Sequence, residues 1–109
     1  MAAAATPQLF AVDVKYDCPH LALHEDLTVD IQAPCLQCAN VGENWLCLTC
    51  SEVLCSRYVN CHMVDHNAES QHPVALSFSD ASVWCYSCDS YIDSPCLKQV
   101  TMAVALARK

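Results

Sequence analysis

Long apolar runs are missing from this chain. No stretch approaches the roughly eighteen uninterrupted apolar residues that a spanning helix requires, so no transmembrane segment is expected. Basic residues are scarce as well. Five Lys+Arg stand against twelve Asp+Glu, a formal charge of −7, and no run of Lys or Arg occurs anywhere. Phosphate binding normally shows a basic patch, which argues against nucleic acid and for a basic peptide or protein as partner. The first ten residues, MAAAATPQLF, lack a basic start, and Thr6-Pro7 and Gln8 break their apolar run. No secretory signal is expected, and the location expected is intracellular, cytoplasmic or nuclear. Glycine is nearly absent too, with Gly42 alone to punctuate turns.

What the chain has is cysteine. At 109 residues a single core would be marginal without added constraints, and the 54% hydrophobic content includes ten cysteines better read as ligands or crosslinks. Spacing decides between disulfides and metal. Three C-x-x-C pairs occur, Cys35/Cys38, Cys47/Cys50 and Cys85/Cys88, a separation that lets two thiolates of one knuckle chelate one tetrahedral ion. His20, His62, His66 and His72 lie close to cysteines or to one another, as imidazole ligands would.

The ligands can be partitioned by spacing. Cys47 and Cys50, followed after fifteen intervening residues by His66 and after five more by His72, fit a two-cysteine, two-histidine zinc site. Cys35, Cys38, Cys55 and His62 then form a Cys3His set, and Cys18, His20, Cys85 and Cys88 a second one that would staple the early chain to the late chain. Three Zn2+ are therefore expected. Cys61, Cys96 and His24 are left over. Cys61 adjoins His62, but neighbours on a helix point about 100° apart, which argues against a nucleophile and base pair. Four protein donors close every site, whereas catalytic zinc keeps a position open for water. No catalytic residue is assigned, and the chain is not expected to be an enzyme.

Residues 1–15 are expected to be a flexible leader and 16–109 one zinc-stapled domain. Asn44 to Leu48 reads as a strand, and the segment from Arg57 to Ala68, free of Gly and Pro, as a helix presenting His62 and His66 and ended by Pro73. Val74, Leu76 and Phe78 alternate with Ala75, Ser77 and Ser79, the period of a half-buried strand, with Val83 to Tyr86 continuing the sheet. Ser94 and Pro95 suit the cap and first position of a last helix whose apolar side is Leu97, Val100 and Val104.

Six large side chains flank the ligands: Trp45, Arg57, Tyr58, Trp84, Tyr86 and Tyr91. They suit recognition, and the aromatic ones would equally suit the core of a small domain. Metal bound at Cys55 and His62 would fix the backbone between them and hold Arg57 and Tyr58 in place.

Cys18-Pro19-His20, Cys35-x-x-Cys38, Glu43-Asn44-Trp45-x-Cys47-x-x-Cys50, Cys55-x-Arg57-Tyr58, His62 and His66, His72-Pro73 and Trp84-Cys85-Tyr86-x-Cys88 together resemble the ubiquitin-specific-protease-type zinc finger, also called the ZnF-UBP or BUZ domain. Within it, the likeness is to the finger of a cytoplasmic histone deacetylase. The resemblance covers about residues 16 to 95. It implies an α+β fold, a twisted antiparallel sheet with flanking helices, and capture of the free C-terminal Gly-Gly tail of ubiquitin by a monomer. Arg57 would then receive the tail and its carboxylate region, and Trp45, Tyr58, Trp84, Tyr86 and Tyr91 would wall the slot. Two positions depart from the family pattern. Ser56 and Cys61 stand where glycine is common, and a side chain at 56 is expected to narrow the approach to the slot. The alternatives are a structural zinc docking module that does not bind ubiquitin, or an accessory finger of a larger deubiquitinase or deacetylase. A RING-like ligase would need cross-braced pairs that this sequence does not reproduce.

Overall fold

The structure, a computed structural model, describes residues 14–108. In chain order the elements are β1 (Val14–Lys15), β2 (Asn44–Cys47), β3 (Val53–Cys55), α1 (His62–Ser70), β4 (Val74–Ser77), β5 (Val83–Cys85), β6 (Ser90–Ile92), a 3-10 turn (Pro95–Leu97) and α2 (Lys98–Ala107). The strands form one sheet in the order β1-β6-β5-β4-β2-β3. Every pairing is antiparallel except the edge pair β1 and β6, where Val14 lies beside Tyr91 and Lys15 beside Ile92 in parallel. None of the described helices is long and apolar enough to cross a membrane.

The two faces of the sheet carry different cores. Strand alternation and register put Leu46, Val74, Leu76, Val83 and Cys85 on one face. They pack with Leu48, Phe78 and Ile92 and with Leu97 and Val104 from the α2 end, while Leu21, Leu27, Val29 and Ile31 of the long early loop close over them. Each fully buried leucine contributes roughly 2 kcal/mol. The other face holds Cys47, Leu54 and Ala75 under Met63 of α1, with Trp45, Val59 and Tyr86 at the margin.

β4 is therefore covered on both sides, and all four of its residues are buried, where the alternation predicts a half-buried strand. Ala75 belongs to the second core, and it and Ser77 are buried without looking apolar in the sequence. The helix expected from Arg57 begins five residues later, at His62. The Ser56 carbonyl accepts the N–H groups of both Val59 and Cys61, and Cys61 then takes a left-handed φ of 62°, so residues 56–61 form a turn. Gln71, also left-handed, ends α1 ahead of Pro73. Ser94 does precede the last helical segment, but its hydroxyl makes no cap and lies 3.2 Å from the Cys96 sulfur. Residues 1–13 of the expected leader lie outside the described residues. Val14 and Lys15, placed in that leader by the expected boundary, are instead paired with β6.

With one glycine, the chain makes its tight turns from other residues. The residue after the second cysteine of every C-x-x-C pair is left-handed: Ala39 (φ 64°), Ser51 (φ 69°) and Asp89 (φ 54°). Ala39 and Ser51 each donate an N–H at 2.8 Å to the carbonyl of the first cysteine of their pair, which folds the knuckle back so that both sulfurs face one point. A side chain in this region costs about 1–2 kcal/mol, part of which a glycine would return to the unfolded chain as entropy. Ala39→Gly is accordingly expected to raise the unfolding free energy of the zinc-loaded domain by about 0.5–1 kcal/mol, whereas Ala75→Gly in the buried centre of β4 should lower it by at least that much. Urea denaturation in zinc-buffered solution measures both. A loss at Ala39→Gly equal to that at Ala75→Gly would show the knuckle backbone to be free of strain.

Candidate metal centres and aromatic slot

Twelve side chains converge in three groups of four: Cys18, His20, Cys85 and Cys88; Cys35, Cys38, Cys55 and His62; Cys47, Cys50, His66 and His72. In each group the donor atoms all lie within 4.8 Å of one another. All ten cysteines are unbridged, and the S···S separations of 3.8 Å (Cys88 to Cys18) and 3.9 Å (Cys38 to Cys55) are far too long for a disulfide.

These separations are those of ligands around one ion. A tetrahedral Zn2+ with ordinary Zn–S and Zn–N distances sets S···S edges near 3.8 Å, S···N edges near 3.5 Å and N···N edges near 3.3 Å. His20 Nδ1 stands 3.8, 3.5 and 3.3 Å from the sulfurs of Cys18, Cys85 and Cys88. His62 Nδ1 lies 3.4 Å from both Cys35 and Cys55. In the third group His72 Nδ1 is 3.7 Å from Cys47, His66 Nε2 is 3.4 Å from Cys50, and the two nitrogens are 3.3 Å apart. Each cluster can hold a zinc ion, and with four protein donors apiece they are of the closed, structural kind.

The protonation of the sulfurs shows why a cation suits them. Burial pushes the Cys50 and Cys85 thiols up to about 11, so neither would ionise unaided near neutral pH. Burial opposes ionisation of Cys35 too, but N–H groups of Cys38 and Gln37 and the His62 imidazole together bring it down to about 6. Asn60, donating to the Cys38 sulfur at 3.4 Å, lowers that thiol. The Cys35 thiolate in turn raises His62. A divalent ion favours the thiolate and the neutral imidazole together, which resolves this conflict in one step. Glu52 adds an outer partner, its carboxylate 3.5 Å from the free Nδ1 of His66.

The leftovers lie elsewhere. Cys61 and Cys96 are exposed. His24 closes a turn, its Nδ1 accepting the Asp26 N–H at 3.0 Å.

The six flanking side chains gather along the α1 face of the sheet. Trp45 is paired with Ser77 and Trp84 with Ala75, so two tryptophans stand on either side of β4 with only small residues between them. Tyr91 pairs with Trp84 in register, and their rings meet edge to face at 4.9 Å. Tyr86, just beyond β5, is half-buried and tied by its N–H to the Pro73 carbonyl at 2.7 Å. Burial pushes its phenol up.

Arg57 and Tyr58 project from the turn between β3 and α1 and are exposed, Tyr58 by 75%. Arg57 Nη2 donates to Tyr58 Oη at 2.9 Å, and the guanidinium carbon is 5.0 Å from the Tyr58 ring centre. The Tyr58 hydroxyl, with Tyr91 and Tyr86 beyond it, holds the guanidinium above its usual range. Ser56 does not narrow this approach as expected. It is 5% exposed and turned inward, its hydroxyl accepting the Tyr58 N–H at 3.1 Å. A separate cleft of about 470 Å³, lined by Val14, Tyr16, Asp80, Asp93 and Leu97 among others, shares only Tyr91 with the aromatic set.

The roles of Glu52, Asn60 and Ser56 had no signal in spacing, because each acts through a neighbour in space. Asn44 is a further case. Fully buried, it donates to the carbonyls of Ala33 and Asn40 and so fastens the loop carrying Cys35 and Cys38.

Comparison with known proteins gives a consistent picture. The family described as "Zn-finger in ubiquitin-hydrolases and other protein" matches residues 35–97. Histone deacetylase 6 of Caenorhabditis elegans is 45% identical over 83 residues, covering 73% of this chain and 9% of that protein. NAD-dependent deacetylase sir2A of Dictyostelium discoideum is 50% identical over 58 residues, or 53% of this chain and 11% of the relative. Ubiquitin carboxyl-terminal hydrolase 44 of Ailuropoda melanoleuca is 45% identical over 58 residues, 53% of this chain and 8% of the relative. The chain thus spans about a tenth of the length of these relatives. Among solved structures, the SAGA Ubp8/Sgf11/Sus1/Sgf73 DUB module superimposes with a TM-score of 0.50 at 20% identity, over 66% of this chain and 17% of that one, a likeness of fold.

Native mass spectrometry of the zinc-loaded protein is expected to give three ions per chain, unchanged in Cys61→Ser and Cys96→Ser, whose sulfurs lie outside the clusters. A strong chelator should unfold the domain, because binding free energy here is folding free energy. Two or fewer ions on a folded, saturated sample would overturn the grouping.

Proposed function

Because the chain belongs to the family of zinc fingers found in ubiquitin hydrolases and other proteins, we propose that it is a recognition module that captures the free C-terminal Gly-Gly tail of ubiquitin. The observation that carries this reading is the sheet register. It sets Trp45 and Trp84 on the two sides of a strip of small residues, Ala75 and Ser77, with Tyr91 edge to face against Trp84 and the Arg57 and Tyr58 pair nearby. A strip without bulk between aromatic walls suits a glycine backbone, and a fixed guanidinium suits a terminal carboxylate. The chain's charge of −7 suits a tail that carries arginines before its glycines.

Binding is favoured over catalysis by the company this segment keeps. Its relatives are named for two different chemistries, deacetylation and ubiquitin hydrolysis, and share with it only a small part of their length. A segment common to such different enzymes is better suited to recognising something than to carrying out either reaction. Its zinc clusters, closed by four protein donors each, offer no position for an attacking water. We place the module in a reducing, intracellular setting, where thiolate clusters persist, and read it as a monomer that serves whatever larger protein carries it.

Calorimetry at one salt concentration tests the reading with three ligands: free ubiquitin, ubiquitin lacking its last two residues, and ubiquitin extended at its C-terminus. Only the first is expected to bind well. A lost charge-assisted hydrogen bond costs roughly 1.5–3 kcal/mol, so extension should weaken binding by about tenfold to a hundredfold. Arg57→Ala should weaken free ubiquitin on the same scale while keeping its zinc and its melting temperature, since Arg57 is exposed and coordinates nothing. Equal binding of free and extended ubiquitin would exclude tail capture. Equal binding by wild type and Arg57→Ala would favour a docking module.

A further inference from the structure

We infer that the Ser56 hydroxyl is a positioning device that holds the Arg57 and Tyr58 pair ready for its ligand. The inference rests on the tail-capture reading for the meaning of that readiness, and on geometry for the device itself. Ser56 is one of three buried polar or charged residues among those described, and it immediately follows Cys55 of the second cluster. Its backbone is fully engaged. The N–H donates to the Glu43 carbonyl at 3.2 Å, and its own carbonyl accepts the N–H groups of Val59 at 3.1 Å and Cys61 at 3.0 Å. Those bonds shape the turn and do not involve the side chain.

The hydroxyl does something separate. It accepts the Tyr58 N–H at 3.1 Å and so fixes the peptide between the two exposed side chains, which are linked to each other by the 2.9 Å bond from Arg57 to Tyr58. Zinc ligation at Cys55 and His62 anchors the ends of this segment, yet six residues lie between them. Without the hydroxyl, the Tyr58 amide would be left to water and its peptide held only by the turn around it. The conformational freedom then regained would have to be lost again on binding. A serine in the place where a glycine is common is on this account a gain in order, with its side chain directed away from the slot.

Ser56→Ala and Ser56→Gly delete the hydroxyl and leave the backbone bonds possible, while Ser56→Thr restores an oxygen. In the zinc-loaded protein, hydrogen exchange at the Tyr58 amide should accelerate about fivefold or more in Ala and Gly and return toward wild type in Thr. All variants should keep three zinc ions. Ubiquitin affinity should fall about fivefold in Ala and Gly, the equivalent of one ordinary hydrogen bond. Unchanged Tyr58 exchange in Ser56→Ala overturns the device, as does accelerated exchange with unchanged binding. Loss of zinc in Ser56→Ala also overturns it, since the serine would then be holding the cluster. If wild type itself fails to bind ubiquitin, tail capture falls, and the exchange result still decides whether Ser56 orders the pair.

Discussion

Thiolate and imidazole converging on a shared cation is the constraint on which the rest of this molecule depends. The three clusters join segments far apart in the chain: residues 18–20 to 85–88, residues 35–38 to 55–62, and residues 47–50 to 66–72. Between β1 and β2, residues 16–43 contain neither helix nor strand, a length of irregular chain that a compact domain of this size seldom carries without a fastening. Here both ends of it are fastened, by Cys18 and His20 at one end and by Cys35 and Cys38 at the other. Cysteine also supplies part of the interior, since Cys35, Cys47, Cys55 and Cys85 are buried within the two hydrophobic clusters. Removing the cation would therefore leave buried thiols that resist ionisation and a long loop with little to hold it.

Strong local bonding of this kind tolerates backbone that a weaker fold could not. Among the described residues, seven other than glycine have positive φ, and three of them follow the second cysteine of a knuckle. At about 1 kcal/mol or more apiece, such strain would threaten a domain whose apolar core is small. Structural zinc contributes on the order of 10 kcal/mol per site, which is large enough to offset several of these turns. The scarcity of glycine thus follows from the metal clusters, and conversely a chain with one glycine and this many sharp reversals needs such clusters.

Spacing made the four-donor groups and three of the strands legible, because chelation by neighbouring thiolates and alternation along a strand are both local rules. What remained hidden depends on contacts across the fold. Val53–Cys55 and Ser90–Ile92 are strands only because β2 and β5 lie beside them, and each is too short to show a period. Ala75 and Ser77 look like the wet side of β4, yet both are buried, Ala75 in the cluster that also holds Met63. The start of α1 was displaced by the double acceptance at the Ser56 carbonyl, an arrangement that helix propensity over residues 57–61 does not reveal. The edge pairing of Val14 and Lys15 is similarly a product of Tyr91 and Ile92 being present to receive it.

Cluster donors and the large aromatic and basic side chains of this domain alternate along the chain yet stay distinct. Trp45 lies two residues before Cys47, Arg57 and Tyr58 lie between Cys55 and His62, and Trp84 and Tyr86 flank Cys85, but none of these five is a cluster donor. Adjacency to a donor means that its peptide is already fixed by the cluster, so a side chain that touches no metal still inherits the order that metal imposes. The slot side chains can therefore be exposed and still be well placed, as Tyr58 is. It follows that Arg57 and Tyr58 can change with little effect on the fold, while loss of any one donor disturbs the cluster and the segment it anchors. The separation is sharpest at Arg57 and Tyr58, which are exposed, whereas Trp45 and Tyr86 also pack against the second core.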